Sequence, residues 1–141
     1  MKKVKLVLDT NVFIVSLPDF SPWHWIIKAI IDNQIILLIT NDILMEWDEK
    51  LLERYSAVYT NDLLDLFLQL ENVYLIEPSY KWNFIAVDPD DNKFVDCAIA
   101  GNADLIVSND RHFQILKQID FPRVNILRLQ EFENLYKEQL G

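Results

Sequence analysis

Acidic side chains recur at four places in the chain where α/β proteins commonly bind ligands. Asp9 and Asp110 each follow a short apolar run with the composition of a buried strand. Glu46 lies within a segment of helical periodicity, and Asp91 lies in a Pro- and Asp-rich stretch that is typical of a helix start. Ligands in an open α/β sheet bind beyond the carboxyl ends of the strands. These acids are therefore candidates for one shared site.

Gathered carboxylates repel one another, and their pKa values rise unless a cation holds them together. Hard oxygen ligands suit Mg²⁺ or Mn²⁺, and two such ions ~4 Å apart stabilise phosphoryl displacement by water. Such chemistry needs no side-chain nucleophile. The acids can also be explained without a ligand, because Asp residues cap helices and Glu46 can pair with Lys50 one turn later. His112, close after Asp110, is predicted to be a surface residue in the first turn of a helix.

The elements that must position these acids alternate between strand and helix five times. This alternation predicts an α/β domain with a mostly parallel five-stranded sheet flanked by helices. If the first and fourth strands are neighbours, Asp9 and Asp110 face each other across the crevice at the switch point. The predicted strands are Val4–Leu8, Ile35–Ile39, Val73–Ile76, Leu105–Val107 and Val124–Leu127, and the longer predicted helices include 42–55, 62–71 and 130–140.

The predicted helix 62–71 has apolar residues over more than half of its circumference. Leu63, Leu64, Leu66, Phe67, Leu68 and Leu70 all lie within it. So wide an apolar surface indicates burial on two sides or contact with another chain. The helix and Trp25, which lies off the apolar stripe of its own helix, are candidate contact surfaces.

Length and composition set further bounds. The 141 residues are 51% hydrophobic and 25% charged, which predicts one folded domain spanning residues 1–141. Only two glycines occur, so a Gly-rich phosphate-binding loop is excluded. The one cysteine, Cys97, cannot form an internal disulfide and is expected to be buried. The first apolar run is too short for a signal peptide or a membrane span, and we expect a cytoplasmic protein.

The formal net charge of −9 bears on possible partners. Proteins that bind nucleic acid by neutralising phosphates usually have a basic surface. If nucleic acid is the substrate of this chain, divalent cations or local Lys and Arg residues must supply the positive field. A partner protein with basic residues would also complement the acidic surface.

Four motifs together give the sequence a family resemblance that covers nearly the whole chain. In order and spacing they resemble a PIN domain. The stretch Asp88-Pro-Asp-Asp91-Asn-Lys-Phe is similar to the branch of that family found as toxins of toxin–antitoxin systems, the relatives of VapC-type toxins. The motifs are Val-Leu-Asp9-Thr-Asn11-Val, Glu46 in the second long helix, Asp91 seven residues before Ala98, and Ser108-Asn-Asp110-Arg-His-Phe113.

The resemblance implies a three-layer PIN-like fold and a Mg²⁺- or Mn²⁺-dependent endoribonuclease that hydrolyses RNA. It implies a homodimer and a cognate antitoxin protein as partners. Its site residues would be Asp9, Glu46, Asp91 and Asp110 as catalytic metal ligands, Asp96 as a further ligand, and Asn11 and Ser108 as side chains that orient the ligands by hydrogen bonds.

Other functions were weighed against the same residues. A haloacid-dehalogenase-like phosphatase needs a second Asp two residues after its nucleophile, and Asn11 occupies that place. A phosphoacceptor receiver domain needs a Lys late in the sheet, whereas Lys117 falls in a predicted helix. A non-catalytic protein-binding module, whose acids are caps and solvated charges, and a housekeeping PIN nuclease without an antitoxin stay open as alternatives.

Overall fold

The computed structural model describes residues 2–140, so Met1 and Gly141, the two ends of the predicted domain, lie outside the described residues. No helix within this range is both long and apolar enough to cross a membrane. Two short segments, 89–91 and 111–118, form 3₁₀ helices. The other elements are β1 (Val4–Leu8), α1 (Thr10–Ser16), α2 (His24–Ile31), β2 (Ile35–Ile39), α3 (Asn41–Leu52), α4 (Ala57–Gln69), β3 (Val73–Leu75), α5 (Asn92–Ala100), β4 (Leu105–Val107), β5 (Ile126–Leu127) and α6 (Leu129–Leu140).

The five strands form one sheet in the order β3-β2-β1-β4-β5, and every neighbouring pair is parallel. The predicted α/β fold is confirmed, with helices flanking the sheet. β1 and β4 are neighbours, as the expected crevice between them requires. Their register pairs Leu8 with Val107, so the two strands end side by side. The residues after both strands therefore come together at one edge of the sheet.

A buried aromatic cluster joins the helices on which the site depends. Phe13 of α1 stacks on Trp47 of α3, with ring centroids 3.8 Å apart and planes within 4°. Phe67 of α4 meets the Phe13 ring edge-on at 5.3 Å, and all three side chains are fully buried. Stacked and edge-on aromatic pairs contribute ~0.5–1.5 kcal/mol beyond the burial of their area. The cluster thus fixes α3, and Glu46 with it, against the helix that begins beside Asp9.

Several features differ from the sequence predictions: the third strand ends at Leu75, the fifth begins at Ile126, and the helix predicted for 42–55 ends at Leu52. The helix predicted for residues 62–71 begins earlier, at Ala57, because the Ser56 hydroxyl accepts the Tyr59 N–H at 3.1 Å and caps the helix. Trp25 is not a free contact surface, because its ring stacks on Phe132 of α6 with centroids 5.3 Å apart. The apolar surface predicted for α4 extends beyond its buried side, because Leu66 and Leu68 are 43% and 44% exposed.

Candidate metal centre

Asp9 follows β1 directly, and the pairing of β1 with β4 determines its surroundings. Its backbone N–H donates to the Val107 carbonyl at 3.1 Å, which extends the ladder by one residue. The Ser108 hydroxyl donates to Asp9 Oδ2 at 2.7 Å, and the Asn11 backbone N–H also bonds to this carboxylate. Asn11 therefore contacts Asp9 through its main chain, while its side chain is exposed. These donors hold one buried carboxylate in a single orientation.

A series of hydrogen bonds leads from Asp9 to the fourth candidate acid. The Ser108 oxygen accepts the Asp110 backbone N–H at 3.0 Å. The Asp110 carboxylate, through Oδ1, accepts the backbone N–H of His112 at 2.9 Å and so caps the 3₁₀ helix 111–118. One serine thus links the acids that follow the two neighbouring strands.

Asp91 reaches the same region from a tight turn ahead of α5. Its backbone N–H donates to the Asp88 carbonyl at 3.1 Å. Asp88, at the N-cap position, and Asp91 are therefore one turn apart on the same side of the 3₁₀ segment. One turn into α5, Phe94 packs edge-on against Phe113, with ring centroids 6.1 Å apart. This buried contact holds the start of α5 against the segment that follows β4.

His112 lies in the first turn of the 3₁₀ helix 111–118, as predicted, and its side chain is 29% exposed, but its buried Nδ1 atom faces three of these acids. Its Nδ1 atom is 3.4 Å from Asp110 Oδ1, 3.9 Å from Asp91 Oδ2 and 4.0 Å from Asp88 Oδ2. Asp88, Asp91 and His112 each offer one ligand atom, and all three atoms lie within 4.8 Å of one another.

Glu46 comes from α3 and is held by a lysine. Its carboxylate forms an ion pair with Lys93 at 2.5 Å, and Lys93 also contacts Asp90 at 3.1 Å. The alternative pairing with Lys50 is not formed; Lys50 instead approaches Glu53 at 4.0 Å. Glu46 and Lys93 line a cleft of about 530 Å³, whereas Asp9 and Asp110 line a separate pocket of about 310 Å³.

Burial and neighbouring carboxylates raise the pKa of two acids of the site. Burial raises the pKa of Asp9, and the charges of Asp110 and Glu46 raise it further against the opposing hydrogen bond from Ser108. Burial, followed by the charges of Asp88, Asp110 and Asp9, raises the pKa of Asp91 to about 7. The four predicted acids therefore act on one another, as a shared site requires.

Asp96 is set apart from the other acids. Its Oδ1 accepts the Trp82 backbone N–H at 3.1 Å, and Lys81 is the charge that acts on it. Burial still raises the pKa of Asp96. It lines the same cleft as Glu46, so the structure places Asp96 beside that acid and away from the aspartates at the strand ends.

Sequence reasoning missed Asp88, His112 and Lys93 as members of the site. The spacing of Asp88 and Asp91 across a Pro-containing turn was a usable signal, because residues three apart in a 3₁₀ turn lie side by side. The pairing of Lys93 with Glu46 joins residues far apart in the chain and left no local pattern.

The donor set fits a divalent cation. Carboxylate oxygens are the ligands that Mg²⁺ and Mn²⁺ prefer. Within the range 2–140, the buried Asp91 Oδ2 and His112 Nδ1 atoms have no hydrogen-bond partner, as expected for atoms that a cation would satisfy. A bound cation would offset the repulsion among these carboxylates, and this gain adds to its binding free energy.

A family model described as PIN domain matches residues 5–112, which include all of these acids. The chain belongs to the PIN domain family. PIN domains are typically metal-dependent nucleases. This PIN domain is 28% identical over 134 residues to an uncharacterized protein of Methanocaldococcus jannaschii, MJ1680, covering 91% of this chain and 85% of that protein.

The fold also resembles a solved structure. The crystal structure of VapBC2 from Rickettsia felis, bound to a DNA fragment from their promoter, contains a chain that superposes with a TM-score of 0.60 at 20% sequence identity. The match covers 89% of this PIN domain and 98% of that chain. The PIN-like architecture therefore extends over almost the whole length of this chain.

Proposed function

We propose that this PIN domain, a single domain spanning residues 1–141, is a metal-dependent endoribonuclease. It would hydrolyse RNA phosphodiester bonds with Asp9, Glu46, Asp91 and Asp110 as its catalytic metal ligands. The observation that supports this most strongly is the meeting of Asp9 and Asp110 around Ser108 at the ends of two adjacent strands, with the buried Asp91 Oδ2 lacking a hydrogen-bond partner within residues 2–140. Carboxylates gathered at the carboxyl ends of adjacent strands favour cation binding over a purely structural role.

The residues of the chain have distinct tasks in this proposal. Ser108 orients Asp9 and, through the backbone of Asp110, fixes the distance between the acids of β1 and β4. Lys93 holds the Glu46 side chain at the cleft, where Glu46 would serve as a ligand. Asn11 contributes its backbone N–H in the proposal, and Asp96 would add an oxygen ligand on the Glu46 side.

The cation is proposed to be Mg²⁺ or Mn²⁺. When bound, such an ion lowers the pKa of a coordinated water and stabilises negative charge on phosphate oxygens. The acids of the chain orient the ion, and the open cleft beside Glu46 admits the RNA. The cation also supplies positive charge that a chain of net charge −9 lacks for holding a polyanion.

RNA cleavage by the purified full chain tests this function. Cleavage is expected with Mn²⁺ or Mg²⁺, and is expected to stop in EDTA and in the near-isosteric variant Asp9→Asn. The variant Asp62→Asn, which changes an exposed acid of α4, is the matched control and should cleave like the wild type. Cleavage by Asp9→Asn at the wild-type rate would show that the proposed ligands are wrong. No cleavage and no metal binding would favour the non-catalytic protein-binding module.

We further propose that the protein is the toxin of a cytoplasmic toxin–antitoxin pair and forms a homodimer. The likeness to a chain of the Rickettsia felis VapBC2 structure supports the first part. The acidic surface would complement a basic antitoxin. The exposed apolar side chains of α4, among them Leu66 and Leu68 at 43% and 44% and Val58 at 72%, support a contact between copies.

Expression in bacteria tests the toxin role. The wild type should arrest growth, and Asp9→Asn should not. A neighbouring gene for a small protein with a basic DNA-binding amino terminus should relieve the arrest when it is expressed together with the toxin. Metal-dependent RNA cleavage without growth arrest would instead favour a housekeeping PIN nuclease. Unchanged oligomer size after Leu66→Ser and Leu68→Ser would remove α4 as the dimer surface.

A further inference from the structure

We infer that His112 and Asp88 complete a metal position with Asp91, and that the imidazole makes this position bind Mn²⁺ in preference to Mg²⁺. The inference rests on the proposed metal-dependent function and assigns two ligands beyond the four acids from the sequence. It concerns which cation the site selects, and metal binding without RNA can test it.

The geometry brings the three side chains together from two segments. Asp88 and Asp91 lie on the 3₁₀ segment before α5, and His112 lies on the 3₁₀ helix after β4. Their ligand atoms are within 4.8 Å of one another, with His112 Nδ1 3.9 Å from Asp91 Oδ2 and 4.0 Å from Asp88 Oδ2. A cation between these atoms needs only a small contraction, because ligands at ~2.0–2.2 Å from an ion lie closer together than this.

The arrangement of His112 indicates a ligand more than a structural contact. Its backbone N–H donates to Asp110 Oδ1 at 2.9 Å, and its Nδ1 atom lies 3.4 Å from the same oxygen without a hydrogen bond to it. Within residues 2–140, the His112 Nδ1 and Asp91 Oδ2 atoms are both buried and both lack a hydrogen-bond partner. A buried polar atom without a partner costs about 1–3 kcal/mol. One ion between these two atoms would satisfy both.

The position is also accessible. The side chain of Asp88 is 44% exposed and that of His112 is 29% exposed, whereas Asp91 is 15% exposed. An ion can therefore enter past Asp88 and reach the buried oxygen of Asp91. Because Asp91 is also acted on by the charges of Asp9 and Asp110, it would lie between this position and the acids at the strand ends.

The chemistry of the donors determines the preference. Mg²⁺ is a hard cation that takes oxygen ligands and keeps several waters. First-row transition ions accept imidazole nitrogen as well as carboxylate oxygen, and His is the commonest metal ligand in proteins. A site of two carboxylates and one imidazole therefore binds Mn²⁺ more tightly than a site built of carboxylates alone, with little gain for Mg²⁺.

The test uses calorimetric titration of the full chain with Mn²⁺ and, separately, with Mg²⁺. Loss of ligand-supporting groups lowers metal affinity by about 10–100-fold, and a direct ligand should matter at least as much. We therefore expect His112→Ala and Asp88→Asn each to weaken Mn²⁺ binding by about tenfold or more. His112→Ala should leave Mg²⁺ affinity nearly unchanged. The other histidine and an exposed acid of α4 supply matched controls, His24→Ala and Asp62→Asn, which should keep the preference for Mn²⁺.

A second measurement needs no variant. The electron paramagnetic resonance spectrum of Mn²⁺ bound to the wild type should show coupling to a directly bound nitrogen, and this coupling should persist in His24→Ala. Mn²⁺ binding without nitrogen coupling, and with unchanged affinity in His112→Ala, would overturn the inference while leaving the nuclease proposal intact. If the wild type binds neither ion, both the inference and the metal dependence are overturned.

Discussion

Replacing Asp91 with Asn should stabilise the protein in the absence of metal, although the residue is proposed as a metal ligand. Burial and the charges of Asp88, Asp110 and Asp9 disfavour the ionised carboxylate in the folded chain. Asn has nearly the same shape and cannot ionise, so the substitution removes this repulsion. A site that binds a cation is expected to be destabilising when the cation is absent, and substitutions there can trade function for stability.

The magnitude follows from the pKa of Asp91, which rises from 3.8 to about 7 on folding. A difference of that size corresponds to ~4 kcal/mol at 1.36 kcal/mol per pKa unit. The Asp88 and Asp110 side chains are 44% and 33% exposed, so water screens much of the repulsion. We therefore expect Asp91→Asn to raise the free energy of unfolding by about 1–2 kcal/mol once the folded carboxyl is ionised.

The size of the effect depends on pH, while its sign stays the same. Below about pH 4 the Asp91 carboxyl is neutral in both the folded and the unfolded chain, and the substitution should change little. As the pH rises, the unfolded chain ionises first, so the wild type loses stability relative to the variant. The difference should grow until the pH passes about 7, where the folded carboxyl also ionises, and then stay constant.

Urea unfolding in EDTA at about pH 4 and about pH 8 measures this difference in the free energy of unfolding. Asp62→Asn, at an exposed position of α4, is the control and should show no such gain at the higher pH. Excess Mn²⁺ should then stabilise the wild type more than Asp91→Asn, because it binds only where the ligands are complete. If Asp91→Asn is less stable than the wild type at the higher pH in EDTA, the assigned repulsion is wrong.

Three further substitutions test other parts of the structure, each measured by urea unfolding in EDTA. Lys93→Met should lower the free energy of unfolding by about 1–2 kcal/mol, because Glu46 loses its partner in a half-buried place; an unchanged midpoint would refute the pair. Ser108→Ala should cost about 1–3 kcal/mol through its two lost hydrogen bonds, and Ser108→Thr should cost less. Gly101→Ala should cost about 1–3 kcal/mol, because a Cβ atom there would lie 2.6 Å from Leu38 Cδ1; it should leave Mn²⁺ binding intact.

Much of the fold could be predicted because the strands are short apolar runs with polar ends. Val4–Leu8, Ile35–Ile39 and Leu105–Val107 were predicted with the bounds that the structure has. Alternation with helices then favours a parallel sheet, and the structure confirms it. The start of α4 was missed because a capping hydroxyl, Ser56, sets it and not the apolar periodicity. Local patterns thus predicted the strands better than the helix ends.

The candidate site was predictable in part for the same reason. Asp9 and Asp110 follow strands, so the sheet topology alone brings them together. The approach of His112 Nδ1 to Asp88 and to Asp91 joins residues that are far apart in the chain. Neither contact has a periodic signal in the sequence. Residues that join a site through tertiary packing are therefore the ones that sequence reasoning misses.

The central claim is that acids at the ends of β1 and β4 hold a divalent cation. Crystals of the full chain soaked in Mn²⁺, measured for anomalous diffraction, test it most directly. The account predicts an anomalous peak in contact with the carboxylates of Asp9 and Asp91, and its loss in crystals of Asp9→Asn. Well-diffracting wild-type crystals with no anomalous peak at these carboxylates, or with the peak unchanged in Asp9→Asn, would contradict it.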